Sequence, residues 1–331
     1  MSNEIEFIDK DSDTSQVNQR IPAEYIPVKL SSMGMLDAPN IIHVKDYSGK
    51  DALELSLSTT TSNTFLRKLI DVMNNLIFEG FDCNYLHESE LEEIMLNITG
   101  NFISPIIQNY PYPYEQEEYD SMDADRRNRV ETSLESLQID IPIDSIDTLP
   151  LKAEFKEPII IKNKNNLTVH FRLSRVQDFF VAEEYVEEKY FEQSQHYTQL
   201  EKITNLENEE EKEKRLATFP REVLKTYQDY IVQRGTDYII VKQSQLLLRY
   251  GSKVLKTIEE KIQCYSEIGM GFWKQYNALC DEQLQFGVDH NIKMISPITN
   301  EEVIRRLQFR PMDLISADNI PDSREYSILF G

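Results

Sequence analysis

Two prolines within five residues set the first limit on this chain. In Tyr110-Pro-Tyr-Pro-Tyr114, Pro111 and Pro113 each lock φ at about −65° and remove a backbone donor. No helix runs through such a segment, and the chain there is extended. The residues that follow, Glu115 to Asp125, are acidic and poor in large apolar groups. The aromatic–proline piece reads as a linker or as a strip lying along a neighbouring subunit, and the linker is the simpler reading. Residues 115–150 are accordingly expected to be an acidic linker or extended arm. Within them, Leu137-Gln-Ile-Asp-Ile-Pro-Ile-Asp144 alternates apolar and acidic residues, as a strand added to a partner's sheet edge would.

Before this break, residues 1–20 are polar and acidic and are expected to be a disordered tail. Residues 21–114 are expected to form a small α+β domain. Ile26-Pro-Val-Lys-Leu30 reads as an extended segment ending in a turn at Gly34, and Ile41-Ile-His-Val44 as a second one before Ser48-Gly49. Phe65, Leu69, Met73 and Ile77 recur every four residues and predict an amphipathic helix, with Gly80 placed to end it in a left-handed conformation. Leu91, Ile94, Met95 and Ile98 predict a second helix ending at Gly100, with Glu88 and Glu90 at the positive end of its dipole.

After the break, residues 151–287 read as a β-hairpin followed by a helical bundle. Glu157-Pro-Ile-Ile-Ile161 and Leu167-Thr-Val-His-Phe171 flank an Asn-rich turn. Ser174 and Gln177 have the spacing of a capping box opening a long helix through Val176, Phe179, Phe180, Val186, Tyr190 and Leu200. Pro220 opens another, with Val223, Leu224, Tyr227 and Ile231 on its core face. Residues 288–331 read as a C-terminal hairpin and tail. The fold class is therefore α+β, mainly α: a small N-terminal α+β unit, a β-hairpin, a long helical bundle and a short C-terminal hairpin.

Composition excludes several partners. A formal charge of −22 opposes nucleic-acid backbones and anionic membranes, which need clustered Lys and Arg. No apolar run approaches the ~18 residues of a membrane span, and the N-terminus has no leader-like pattern, so the protein is expected to be made in a cytoplasm. Cys83, Cys264 and Cys280 are odd in number, fit no disulfide or zinc spacing, and read as buried thiols.

Catalytic signatures are missing in the same way. There is no phosphate-cradling glycine loop, no His-Glu-x-x-His and no nucleophile elbow. His87-Glu-Ser-Glu90 sets carboxylates beside a histidine, but at a helix entry these point around the circumference. The five histidines fall in separate segments. The expectation is a non-enzyme with no cofactor, no metal site and no small-molecule substrate.

Several segments together resemble the T4-type baseplate protein family of contractile-tailed phages. They are Ile26-Pro-Val-Lys-Leu-Ser-Ser-Met-Gly34, Ile41-Ile-His-Val-Lys-Asp-Tyr47, Lys50-Asp-Ala-Leu53, Phe81-Asp82 with the Glu88–Glu90 helix start, and Phe272-Trp273 to Phe286-Gly287. Ile292-Lys-Met-Ile-Ser-Pro-Ile-Thr299 with Leu307-Gln-Phe309 completes the set. Some members carry paired cysteines in that last hairpin; here the positions read Ser296-Pro-Ile-Thr299, so no zinc site carries over. The resemblance implies a virion structural protein of the tail baseplate, contacting other baseplate and tail proteins and open to self-association. An assembly chaperone absent from the mature virion is the alternative, and a host-cell enzyme or regulatory binding protein the second alternative. Interface candidates on this reading are Ile26, Val28, Gly34, Ile41, Val44 and Gly49, with Tyr110, Tyr112 and Tyr114 from the aromatic–proline piece.

Overall fold

The computed structural model describes residues 21–48, 50–51, 55, 62–122, 127, 137–206 and 208–309. Among them the fold is mixed α+β and mainly α, with eight α-helices and twelve short strands in five antiparallel sheets. Strands β1 (Ile26–Lys29) and β2 (Ile41–Val44) pair antiparallel, Val28 opposite Ile42. Their inner face lies on helices α1 (Ser62–Leu76) and α2 (Glu88–Ile98), where Phe65, Leu69, Met73, Ile94 and Met95 fill the core. The four-residue rhythm read from the sequence thus places the α1 stripe correctly.

Gly80 does adopt a left-handed backbone, φ +65°, but in the turn after α1. Gly100 is no left-handed cap: the chain runs on through a π-turn over Thr99–Ile103, and Gly100 lies where an added Cβ would stand 3.0 Å from the Ile143 side chain.

The proline-broken segment is folded into this unit. Ile106–Pro111 forms β3 and pairs with β4 (Gln138–Pro142) across a bulge, with Ile107 opposite Ile141 and Tyr110 opposite Ile139. Between them α3 (Gln116–Ser121) is clamped to residues 296–305. Glu118 accepts from Arg305, from Ser296 Oγ at 2.6 Å and from Tyr112 Oη at 2.7 Å. Burial alone would raise the Glu118 carboxyl, but these donors outweigh it and bring it down to about 2. The expected linker at 115–150 is therefore, in its described parts, packed structure whose apolar residues join the core; residues 123–126 and 128–136 lie outside the described ones. Alternation of apolar and acidic residues at 137–144 served a strand of the chain's own sheet.

The C-terminal hairpin also returns to this core. β11 (Asn291–Ile295) pairs with β12 (Glu302–Arg306), as expected, and Ile292, Leu307 and Phe309 pack with the N-terminal residues. Two residues of β5 (Thr148–Leu149) pair with β10 (Gly287–Val288). Gly287 sits at φ +98° with Ser89 so close that a Cβ would lie 2.5 Å from its side chain.

A second core holds β6 (Ile159–Lys162), β7 (Thr168–Phe171), β8 (Leu247–Tyr250) and β9 (Lys253–Val254) in one sheet, in that order. Helices α7 (Ile258–Glu267) and α8 (Met270–Gln283) cover it, Phe171 meeting Trp273 edge-on and stacking on Tyr276. Leu247–Tyr250, within the stretch expected as helical bundle, is a strand: the helix stops at Ser244, and Gly251 at φ +58° turns the chain back. Between β7 and β8 run α4 (Val176–Thr204), α5 (Glu209–Leu216) and α6 (Arg221–Ser244).

Both cores and the base of α4 meet at residues 172–178. Arg175, 2% exposed in its side chain, donates from Nε to Asp37 and from Nη2 to Glu157, each at 2.7 Å. Its Nη1 donates to the carbonyls of Leu173 and Ser174. The helix cap is Arg175 with Asp178, in place of the expected Ser174 with Gln177: Asp178 accepts from the Arg175 amide at 2.9 Å and from Arg172. Charge decides that choice, because a carboxylate already paired with Arg172 is the stronger acceptor.

Two substitutions test this architecture. Arg175→Met leaves Glu157 and Asp37 without their cation and is expected to lower unfolding stability by about 3 kcal/mol in denaturant titration. Gly287→Ala adds a Cβ into Ser89 at a positive φ and is expected to cost roughly 2–4 kcal/mol by the same measurement.

Candidate functional site

The sequence-derived candidates separate into interior and surface residues. Val28, Val44 and Tyr112 are 1%, 0% and 3% exposed. They are core residues and present nothing to a partner, because period-two alternation turns Val28 and Val44 onto α1 while the Tyr112 hydroxyl is bound to Glu118. Ile26 is partly buried against the same core. Gly34, at φ +73°, makes a turn in which a Cβ would come 3.2 Å from the Asn40 amide, so it shapes the chain rather than touching a partner. Tyr110 is half-buried, its hydroxyl donating to the Gln308 carbonyl at 2.8 Å, and its ring meets Phe309. Gly49 lies outside the described residues. Ile41 and Tyr114 remain exposed, at 44% and 43%, Tyr114 stacking on Tyr119.

A larger apolar surface lies where it was not expected. Helices α4 and α6 run antiparallel, and α4 with 29 residues is about 44 Å long. Beyond the base they have a core of their own, built from Val186, Tyr190, Leu200, Tyr227 and Tyr230. Tyrosine suits so thin a core, because its ring is buried while its hydroxyl reaches the edge. Tyr190 Oη donates to Asp237 at 2.6 Å, Tyr230 Oη to Glu201 at 3.1 Å, and Tyr227 Oη lies 3.1 Å from Thr204 Oγ1. Burial, with the Asp237 carboxylate beside it, holds the Tyr190 phenol well above its ordinary value.

On the outside of this two-helix arm stand Phe191, Ile231, Val232 and Ile239, exposed at 61%, 42%, 68% and 56%. Ile231 was read from sequence as a core residue; its neighbour Tyr230 takes that place. A one-residue rotation explains the difference, since Tyr227, Tyr230, Arg234 and Val241 form the stripe facing α4. The missed signal was a second apolar rhythm on the same helix, Val232 to Ile239, which core-seeking periodicity treats as noise.

The buried titratable groups cluster instead at the base, around α2. His87 and Glu90 form a reciprocal cap: His87 Nδ1 accepts from the Ser89 amide at 3.1 Å, and Glu90 accepts from the His87 amide at 2.9 Å. Burial and the nearby Arg175 push the His87 ring down to about 3, and a neutral ring is what an accepting Nδ1 requires. Glu93, one turn on, accepts from the Ser31 amide at 3.0 Å. Burial drives its carboxyl up to about 7, with Glu90 and Glu92 adding to the shift. Among the described residues no group of three or more His, Cys, Asp or Glu side chains is arranged to hold a metal ion. No described helix is long and apolar enough to cross a membrane.

Glu93 gives a pH dependence of defined sign. Its folded value, about 7, lies above the ordinary 4.5, so folding favours the protonated form. Its contribution is intact below pH 4.5, falls as pH rises toward 7, and is then lost by on the order of 3 kcal/mol. Glu93→Gln keeps an acceptor for Ser31 without the charge. It is expected to match the wild type at pH 4 and to melt higher at pH 8, as thermal unfolding at both pH values would record.

No protein-family model matches this sequence, and no curated protein or solved structure is significantly similar to it.

Proposed function

We propose that the protein is a structural component of a contractile phage-tail baseplate, working through contacts with other baseplate and tail proteins. The observation that carries the contact role is the arm. Two helices leave the packed base, stabilise one another with a tyrosine core, and hold Phe191, Ile231, Val232 and Ile239 in solvent. Three of these, Ile231, Val232 and Ile239, stand on α6, and exposed apolar groups grouped on one element mark places where another protein is bound. A group kept on a stiff, self-supporting arm is offered at a distance from the body, as a subunit spanning neighbours requires.

The phage-tail part of the reading rests on the sequence resemblance over Ile26–Gly34, Ile41–Leu53, Phe81–Glu90 and the closing segments. Of these, Ile26–Lys29, Ile41–Val44 and the α2 start belong to one packed unit with the C-terminal hairpin, so these segments are neighbours in space, whereas Phe272 and Trp273 lie in the second core. A net charge of −22 keeps such a subunit soluble before assembly and directs it to basic partner surfaces.

Quantitative mass spectrometry of purified tailed particles tests the proposal. Stoichiometric presence in the baseplate fraction is expected. Absence from finished particles, with presence in assembly intermediates, would replace the subunit by an assembly chaperone. A stoichiometric nucleotide or metal in the isolated protein would favour the enzyme or regulatory reading.

A further inference from the structure

The exterior of α6 carries a seam whose apolar side chains stand in solvent. Gln228, Val232, Gly235 and Ile239 follow at spacings of four, three and four residues, the rhythm of a coiled-coil seam. At about 100° per residue they span an arc of about 60°. Tyr227, Tyr230 and Val241, which are buried, lie roughly opposite. A Cβ added to Gly235 would meet nothing within 4 Å, so a second helix can approach the backbone there.

We propose that this face of α6 binds the same face of a second copy of the chain, antiparallel, about a two-fold axis between Gly235 and Thr236. Two observations select that occupant. The first is charge. Between Tyr230 and Val241 the charged residues are Arg234 and Asp237, and both are engaged by α4: Arg234 lies 3.5 Å from Glu201, and Asp237 pairs with Lys189. That stretch of the seam is therefore neutral, and the flanking Asp229 falls opposite Lys242 of the other copy, while the exterior of α4 carries the exposed Glu187, Glu188 and Glu192. In a chain of net charge −22, this is a helix face on which two copies meet without opposing carboxylates.

The second observation is self-complementarity, which an isologous contact demands. Antiparallel pairing about Gly235 and Thr236 sets Val232 against Ile239 of the other copy, and Gln228 against Gln243. Apolar meets apolar, amide meets amide, and the residues at the axis are small. Beside the seam, Tyr227, Thr204 and Ile231, with the charged Glu201, Asp229 and Arg234, line an open groove of about 790 Å³, which gives the contact a polar rim. The inference stands whether or not the protein belongs to a baseplate, and its test uses the purified full chain alone.

Sedimentation equilibrium is expected to give a dimer for the wild type at about 100 μM. Val232→Glu with Ile239→Glu, at two solvent-exposed positions, is expected to give a monomer with unchanged far-UV circular dichroism. A second readout fixes the register: Val232→Cys with Ile239→Cys is expected to form a disulfide-linked dimer on mild oxidation. Each single cysteine variant, and the wild type with its own Cys280, is not. A wild type that stays monomeric at that concentration overturns the proposal. So does a dimer that survives both glutamates, or a double-cysteine variant that fails to cross-link.

Discussion

The guanidinium of Arg175 is the contact on which the rest of the structure depends. It joins Asp37 from the N-terminal unit, Glu157 from the approach to the four-stranded sheet, and the first turn of α4. A buried cation is costly unless each of its donors finds an acceptor. Here two carboxylates and two carbonyls take them, in directions set by a planar fork. Neighbouring contacts use the same short stretch: the Val176 amide donates to the Leu86 carbonyl, the Arg172 amide to the Leu246 carbonyl, and Tyr276 Oη to the Arg172 carbonyl. Residues 172–178 are thus held at once by α2's approach, by the end of α6 and by α8.

What that hub fixes is the direction of the arm. Helix α4 leaves it with Val176 in the first core, and Lys242 near the end of α6 lies 3.3 Å from the Phe179 ring centre and 4.0 Å from Glu88. Both ends of the helical pair are therefore rooted in the base, whereas its distal part depends on its own tyrosines. Such a division gives stiffness without bulk: side-chain hydroxyls bonded to Asp237, Glu201 and Thr204 limit sliding between the helices, and aromatic rings fill a layer only one side chain thick.

Local signals in the sequence were legible where one residue's choice depended on near neighbours. The α1 stripe, the hairpin around Asn163–Asn166 and the terminal hairpin follow from periodicity and turn chemistry, and the structure has them. Long-range closure was not legible. Pairing of β3 with β4, and of β5 with β10 at the far end of the chain, leaves no mark in either strand alone. The aromatic–proline piece illustrates this best. Its prolines do keep it extended, yet nothing local says that Tyr112 will bury its ring and bind a carboxylate held by Arg305, which lies 187 residues beyond that carboxylate's own position at Glu118. At the interface candidates, alternation told which residues of β1 and β2 share a face but not which face is covered; Val28 and Val44, named as interface candidates, lie in the core.

Charge placement connects the hub, the arm and the proposed contact. Acidic side chains in the base are neutralised by arginines or by protonation: Asp178 by Arg172, Glu118 by Arg305, and Glu93 by holding its proton near neutral pH. On the exterior of α4, Glu184 meets Arg67, while Glu187, Glu188 and Glu192 stand exposed as a repelling surface. Between Tyr230 and Val241 of α6, Arg234 and Asp237 are turned inward to Glu201 and Lys189, which both secures the arm and clears the opposite side of that stretch of charge. The internal ion pairs and the neutral outer face are then one feature seen from two sides. With the charged residues of that stretch committed to α4, Val232 and Ile239 are left as the outward groups. A helix so arranged meets what the proposed contact between copies requires, an apolar pair of side chains outward and its ion pairs turned to α4.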